Sequence, residues 1–216
     1  MKKIVLIGAS GFVGSALLNE ALERGHQVTA VVRHPGNITA THKNLAVKQG
    51  DVSFIDTVID LCKGADAVIS AYNPGWKNPD IAEETTSVYR TILEGIRQSG
   101  VKRFLVVGGA ASLFISPGKR LMDAGVLPES FLPAVRALAG FYMNDLTAEK
   151  NIDWIFFSPA VNLEPGLRTG KFRLGKDDII VNEKGESRIS VQDYAVVMID
   201  ELEKPAHHRE RFTIGY

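Results

Sequence analysis

Seven consecutive residues, Gly8-Ala9-Ser10-Gly11-Phe12-Val13-Gly14, constrain the fold more than any others in the chain. They join a short apolar run, Ile4–Ile7, to a stretch of helical period from Val13 to Arg24 that places Leu17, Leu18, Ala21 and Leu22 on one side. Each glycine has a physical task in a strand-turn-helix. Gly8 permits the sharp exit from the strand, Gly11 lets a ligand approach the backbone, and Gly14 allows the helix to lie close on the sheet. Unpaired N–H groups at the helix start, at the positive end of its dipole, suit a pyrophosphate. A glycine triplet alone is a weak signal, so its weight depends on the elements around it.

Those elements form a run of strand-helix alternations. Gly25 stands where a helix C′ glycine belongs, and His26-Gln27 leads straight into a second strand, Val28–Val32, leaving no room for a hairpin. A right-handed parallel crossover is expected. The pattern repeats with a strand at Leu45–Val47, a helix at Ser53–Lys63 opened by a Ser53/Asp56 capping box, and a strand at Ala67–Ala71. A helix at Ile81–Ser99 closed by Gly100, a strand at Phe104–Val107, helical pattern at Val135–Lys150 and a sixth strand at Asp153–Phe157 continue it. Short β candidates at Lys171–Leu174 and Ile179–Val181 come next. Ser190 and Asp193 then cap a helix at Tyr194–Glu203, and Phe212–Ile214 forms a last strand. The expected fold is α/β: a Rossmann-type, doubly wound parallel sheet with helices on both faces and a small C-terminal β/α extension. With 216 residues and 45% hydrophobic content, one domain spanning 1–216 is expected. Its substrate-side elements come from the Gly- and Pro-rich stretches 112–133 and 162–190.

Composition narrows the partners. Lys+Arg and Asp+Glu balance at 25 each, which speaks against a nucleic-acid surface or an anionic membrane and leaves a small-molecule acceptor as the expected partner. The single cysteine, Cys62, lies in an apolar helical stretch and reads as a buried, inert thiol. Ile4–Ile7 is too short for a secretory core, and no segment approaches the roughly 18 apolar residues needed to span a bilayer. A soluble cytoplasmic protein is expected, as monomer or homodimer. His207-His208 lies in a charged stretch with no carboxylate at helical spacing, so no metal site is expected.

The end of the second strand bears on the choice of dinucleotide. A site for NAD(H) usually places a carboxylate there to accept from the ribose hydroxyls, whereas this chain has Val31-Val32-Arg33-His34. Arg33 can pair with a 2′-phosphate that a carboxylate would repel, so NADP(H) is preferred and NAD(H) stays open. A solvated strand-end cation is the alternative for Arg33. Asp51 and Val52, after the third strand, suit the adenine amino group and ring, although Asp51 is equally explained as a loop or cap residue. Ala71 and Tyr72, after the fourth, let the backbone lie along the nicotinamide ribose.

Together these residues resemble the atypical short-chain dehydrogenases, most closely the NADH-flavin reductase-like subgroup of the NAD(P)H-binding and epimerase-like families. The resemblance covers nearly the whole chain. Beyond the glycine turn it rests on Gly50-Asp51-Val52, Val106 to Leu113, Asp153 to Ala160, and Arg188 to Ala195. It implies that Gly108, Ser158, Pro159 and Ala160 lie along the cofactor, and that Ser112 sits near the nicotinamide and the substrate. The chain departs from the wider superfamily at the Tyr-x-x-x-Lys pair that supplies a catalytic acid: Tyr142 is followed four residues later by Leu146, and Lys150 comes only eight residues on. Ser112, with Tyr142 as a lone acid, remains the catalytic candidate. Hydride transfer from NADPH to FMN, another flavin or a quinone needs such an acid least. A nucleotide-sugar epimerase or dehydratase and a non-catalytic NADP(H) sensor are the competing readings. Tyr72 and Trp76 either cover the substrate side or simply pack a loop. Phe114, Leu121, Met122 and Phe131 form either an apolar wall, a capping loop or an oligomer contact.

Overall fold

The computed structural model describes all 216 residues. Its first half is a chain of parallel crossovers: β1 (Lys3–Ile7), α1 (Phe12–Glu23), β2 (Gln27–Val32), β3 (Leu45–Gln49), α2 (Ile55–Cys62), β4 (Ala67–Ser70), α3 (Ile81–Ser99) and β5 (Arg103–Val107). A small antiparallel hairpin comes next, β6 (Phe114–Ser116) with β7 (Lys119–Arg120), and then α4 (Leu132–Gly140). The rest comprises β8 (Asp153–Ser158), β9 (Asn162–Glu164), β10 (Arg173–Gly175), β11 (Arg188–Ser190), α5 (Val191–Glu203) and β12 (Glu210–Gly215). The main sheet has the order β10-β12-β8-β5-β4-β1-β2-β3, and every neighbouring pair is parallel except β10 with β12. This is the expected Rossmann-type arrangement. The strand order reverses between β1 and β4, and a crevice opens outside the carboxyl ends of the strands at such a point.

Strand periodicity divides the interior into two cores. Side chains alternate across a strand, so Ile4 and Leu6 join Leu17, Leu18, Ala21 and Met198 under α1 and α5. Val5 and Ile7 join Val58, Val88, Ile92 and Phe141 under α2 and α3. Phe104 and Phe156 face the second core while Leu105 and Phe157 face the first. Burying each such side chain contributes about 1.5–3 kcal/mol, and this fixes the register of the inner strands. Cys62 belongs to the second core, where burial pushes its thiol up to about 12. No helix is long and apolar enough to cross a membrane.

Helix ends obey local chemistry, with two corrections. Gly25, at φ +79°, closes α1: its N–H donates to Leu22 O at 2.9 Å, and the His26 N–H donates to Ala21 O at 3.0 Å. The Ser53/Asp56 capping box does not form. α2 begins after Phe54, and Ser53 donates instead to Asp51 Oδ1, from its N–H at 3.0 Å and its hydroxyl at 2.7 Å. Ser190 does cap α5, accepting from Asp193 N–H at 3.0 Å. The Asp193 carboxylate turns away from that cap to hold the 162–190 segment, accepting from the N–H groups of Thr169 at 2.8 Å and Gly170 at 2.9 Å. It also accepts from the hydroxyls of Thr169 at 2.5 Å and Tyr216 at 2.8 Å.

Three other expectations change. Helical structure after the long loop starts at Leu132, ahead of Val135, and turns into a π-helical stretch at Phe141–Leu146, short of Lys150. The β candidate at Lys171–Leu174 appears shifted, as β10, whereas Ile179–Val181 forms no strand and is tied to the hairpin by Ile179 N–H donating to Phe114 O at 3.0 Å. β9 and β11, which pair in parallel as a separate small sheet, had no sequence signal of their own.

Candidate functional site

The glycine turn is stiffened by its own backbone. Gly8 has φ +79°, and a Cβ there would meet Ala71 O at 2.5 Å; a Cβ on Gly14 would meet Gly8 O at 2.0 Å. Both positions therefore exclude every larger residue. Gly11 differs, because the nearest atom to a Cβ built on it is Gly8 O at 3.4 Å, an ordinary contact. Nothing in the protein requires glycine there, which directs attention to what approaches from outside. The N–H groups of Phe12, Val13 and Gly14 make no hydrogen bond with protein, while Ser15 N–H is already paired with Gly11 O at 2.9 Å. Three free donors at the head of a three-turn helix, with room left by Gly11, fit a pyrophosphate. Ala9 is fully buried, so its side chain belongs to the core. Ser10 and Phe12 are exposed, and Val13 is half-buried beside the cleft.

The next three strand ends line up beside this turn. Arg33 is exposed and has no carboxylate within ion-pair distance; its carbonyl accepts from Gln49 Nε2 at 3.2 Å. Asp51 uses Oδ1 for both bonds from Ser53 and leaves Oδ2 open. The Ser53 hydroxyl and N–H, helped by the charge of Arg33, hold its carboxyl below the usual carboxylate range. Val52 is buried. Ala71 and Tyr72 border the cleft, and the Tyr72 hydroxyl donates to Glu84 Oε1 at 2.7 Å. Burial and that carboxylate push the Tyr72 phenol up, so it stays protonated.

A mostly apolar cleft of about 790 Å³ runs from the turn at Gly11–Val13, past Ala71 and Tyr72, to the ends of β5 and β8. Gly108 stands in its wall because a Cβ would strike the Phe156 ring at 2.6 Å. Pro159 and Ala160 line it; the Ser158 side chain is buried behind them, its hydroxyl unpaired and its carbonyl accepting from Thr213 Oγ1 at 2.9 Å. Leu121 and Phe131 from the long loop face the cleft, whereas Phe114 and Met122 do not. Trp76 and Phe131, their ring centres 5.1 Å apart, form a half-exposed aromatic rim.

The two catalytic candidates sit differently. Ser112 lines the cleft with only 1% of its surface exposed, and its hydroxyl accepts from Arg211 Nη1 at 2.9 Å. Tyr142 does not line the cleft. Its ring stacks on Phe156 at 4.6 Å and lies 5.0 Å beneath the Arg211 guanidinium. Burial raises its phenol above the ordinary tyrosine range despite that neighbouring charge. Leu146, in the place of the superfamily's lysine, is fully buried, and Lys150 points away to donate to Thr147 O at 3.3 Å.

Sequence reasoning missed Arg211 and the α4 face formed by Ala134, Val135, Leu138 and Ala139. The signal for Arg211 was a charge abutting the apolar strand Phe212–Ile214, since a cation carried into a sheet interior must have partners waiting. His207 Nδ1 meets Glu201, six residues earlier, at 2.9 Å, and His208 Nδ1 meets Asp153, which the fold brings near, at 2.9 Å.

Comparison with known proteins gives a consistent picture. The model of a family described as NAD(P)H-binding matches residues 8–205. A crystal structure of a candidate epimerase from Bacteroides thetaiotaomicron is 64% identical, covering 100% of this chain and 97% of that one at a TM-score of 0.95. A candidate NADH-flavin reductase from Streptococcus pneumoniae is 36% identical, covering 100% and 99% at 0.87. The Bacillus subtilis protein YwnB is 41% identical over 98% of this chain and 97% of its own.

Proposed function

This chain belongs to the NAD(P)H-binding family, and from that premise we propose that it is an oxidoreductase passing hydride from NADPH to a planar flavin or quinone acceptor. The observation that carries the reading is the cleft itself: continuous with the glycine turn, mostly apolar, rimmed by Trp76 and Phe131, and offering Ser112 as a buried hydroxyl. Such a slot favours a flat ring laid against the nicotinamide, and hydride transfer to an electron-poor ring depends chiefly on that orientation. The bound dinucleotide supplies the hydride. The protein's part is to hold it by Gly11 and the free N–H groups of α1, to pair Arg33 with a 2′-phosphate, and to exclude water with the aromatic rim.

The name of the Streptococcus neighbour agrees with a reductase, although it specifies NADH, where Arg33 argues for the phosphorylated cofactor. The name of the Bacteroides neighbour favours epimerisation. That chemistry needs an acid/base group beside the sugar, and here Leu146 replaces the lysine while Tyr142 packs outside the cleft. The deciding experiment monitors NADPH consumption by the purified protein with FMN, riboflavin and a simple quinone. Turnover with at least one of them is expected. NADPH binding without any turnover would defeat the reductase reading and favour a sensor, and product analysis with nucleotide sugars would identify an epimerase.

A further inference from the structure

Arg211 enters the sheet on β12 and is 6% exposed, an unusual depth for a guanidinium. Nη1 donates to both the carbonyl of Ser112, at 3.0 Å, and its hydroxyl oxygen, at 2.9 Å. On its other edge Arg211 donates from Nε to Asp177 Oδ1 at 2.9 Å, and from Nη2 to the same oxygen. A serine hydroxyl has one proton and two acceptor sites, and arginine only donates. The bond at Oγ therefore occupies a lone pair of Ser112, while the companion bond to the carbonyl holds the residue in place. No protein group accepts the Ser112 proton, and Ser112 lies in the cleft wall. The adjacent cation withdraws electron density from Oγ and strengthens its O–H as a donor, above all to an anion.

We infer that Arg211 is a positioning residue that makes Ser112 a dedicated hydrogen-bond donor to an oxyanion on the acceptor, which selects planar acceptors bearing a ring carbonyl. The inference rests on the reductase reading for its chemistry. A quinone in the cleft takes up one hydride, two electrons with one proton, from NADPH, which is left as NADP⁺. The quinone becomes a hydroquinone monoanion whose charge rests on a ring oxygen, and that oxygen accepts from Ser112. Ser112 keeps its proton. The one that completes the hydroquinone comes from water after release, so no tyrosine acid is needed.

The test uses two redox-inert planar probes: 4-hydroxycoumarin, an anion at neutral pH, and uncharged coumarin. Both are titrated into the NADP⁺-saturated protein and its Ser112→Ala, Arg211→Met and double variants, with melting curves to establish folding. Each single change is expected to weaken 4-hydroxycoumarin binding about tenfold and the double change no further, with coumarin, whose neutral lactone carbonyl is the weaker acceptor, weakened distinctly less. Equal losses for both probes, or single losses that multiply in the double variant, overturn the inference. If Arg211→Met does not fold, Arg211→Lys replaces it: the positive charge stays but the paired hold on the Ser112 carbonyl and hydroxyl is lost, so a shift of about threefold in the same direction is expected, and no shift overturns the inference. In turnover with a quinone, Ser112→Ala should lower kcat about a hundredfold with KM for NADPH unchanged. An unchanged kcat counts against the role of Ser112. A wild-type protein that discriminates the probes yet reduces no acceptor would defeat the reductase reading alone.

Discussion

The half of the cleft proposed to hold the cofactor and the half proposed to take the acceptor are built in opposite ways. The first comes from adjacent chain: strand, glycine turn and helix within residues 3–23, its positions dictated by backbone contacts at Gly8 and Gly14 that leave no room for a side chain. The second is assembled from afar. Ser112 is held by Arg211, 99 positions away, Arg211 by Asp177, 34 positions away, and the segment carrying Asp177 is pinned to α5 by Asp193. Backbone geometry tolerates no substitution but needs no partners. Side-chain relays tolerate redesign but fail when one member is removed. A scaffold built this way keeps its cofactor and changes its acceptor, which fits relatives of one family that bear reductase and epimerase names.

The largest effect should separate the two glycines of the turn. Gly14→Ala is expected to cost about 3 kcal/mol, the upper end for overpacking, and to abolish NADPH binding. Gly11→Ala should melt within about 1 kcal/mol of the wild type while binding NADPH at least about tenfold more weakly, because its Cβ meets only the ligand. Equal destabilisation by the two would break the distinction between a glycine needed by the fold and one needed by the phosphate.

Asp193→Asn, in the acceptor half, should cost about 2–3 kcal/mol at pH 7, measured by urea unfolding, with less effect on NADPH affinity than on acceptor KM. The sign of its pH dependence comes from the carboxyl. Burial pushes it up, but the hydrogen bonds from Thr169, Gly170 and Tyr216 prevail and leave it lowered. Its contribution is therefore complete above the unfolded carboxylate value, about 3.9, and fades as pH falls through the lower folded value. Wild type and variant should converge in stability on acidification. A gap that widens in acid would show that the carboxylate is not the anchor.

Arg33→Ala should weaken NADPH about tenfold and leave both NADH affinity and stability unchanged, since its guanidinium has no partner in the protein. Equal loss for the two cofactors would remove Arg33 from the 2′-phosphate. The smallest effect is expected at the rim, where Trp76→Ala should raise acceptor KM several-fold, about 1 kcal/mol of lost aromatic contact, with kcat intact. A fall in kcat instead would place Trp76 beside the reacting atoms.

How legible each element was in the sequence tracks how local its cause is. The strands β1, β2, β4, β5 and β8 were found within a residue or two, because they are buried on both faces and read as unbroken apolar runs. The closing of α1 at Gly25 was equally plain. Ser53 misled because a capping box would have its hydroxyl accept from the Asp56 N–H and its own N–H reach the Asp56 carboxylate, whereas both groups donate instead to Asp51, two residues back across the turn. The π-helical stretch at Phe141–Leu146 leaves no trace in apolar spacing; it coincides with Tyr142 seating itself between Phe156 and Arg211.

By itself the sequence determined the parallel α/β fold, the glycine turn, the absence of the tyrosine-lysine pair and the residues at the strand ends, since these arise from backbone sterics and hydrophobic period acting over a few residues. Only the tertiary structure decided that Ser112 faces the cleft with its lone pair already engaged, that Tyr142 stands outside it, and that Arg211 joins them. Those facts depend on buried charges finding partners, and partners 34 to 99 residues away are chosen by the packing of the whole sheet rather than by any neighbour in the chain.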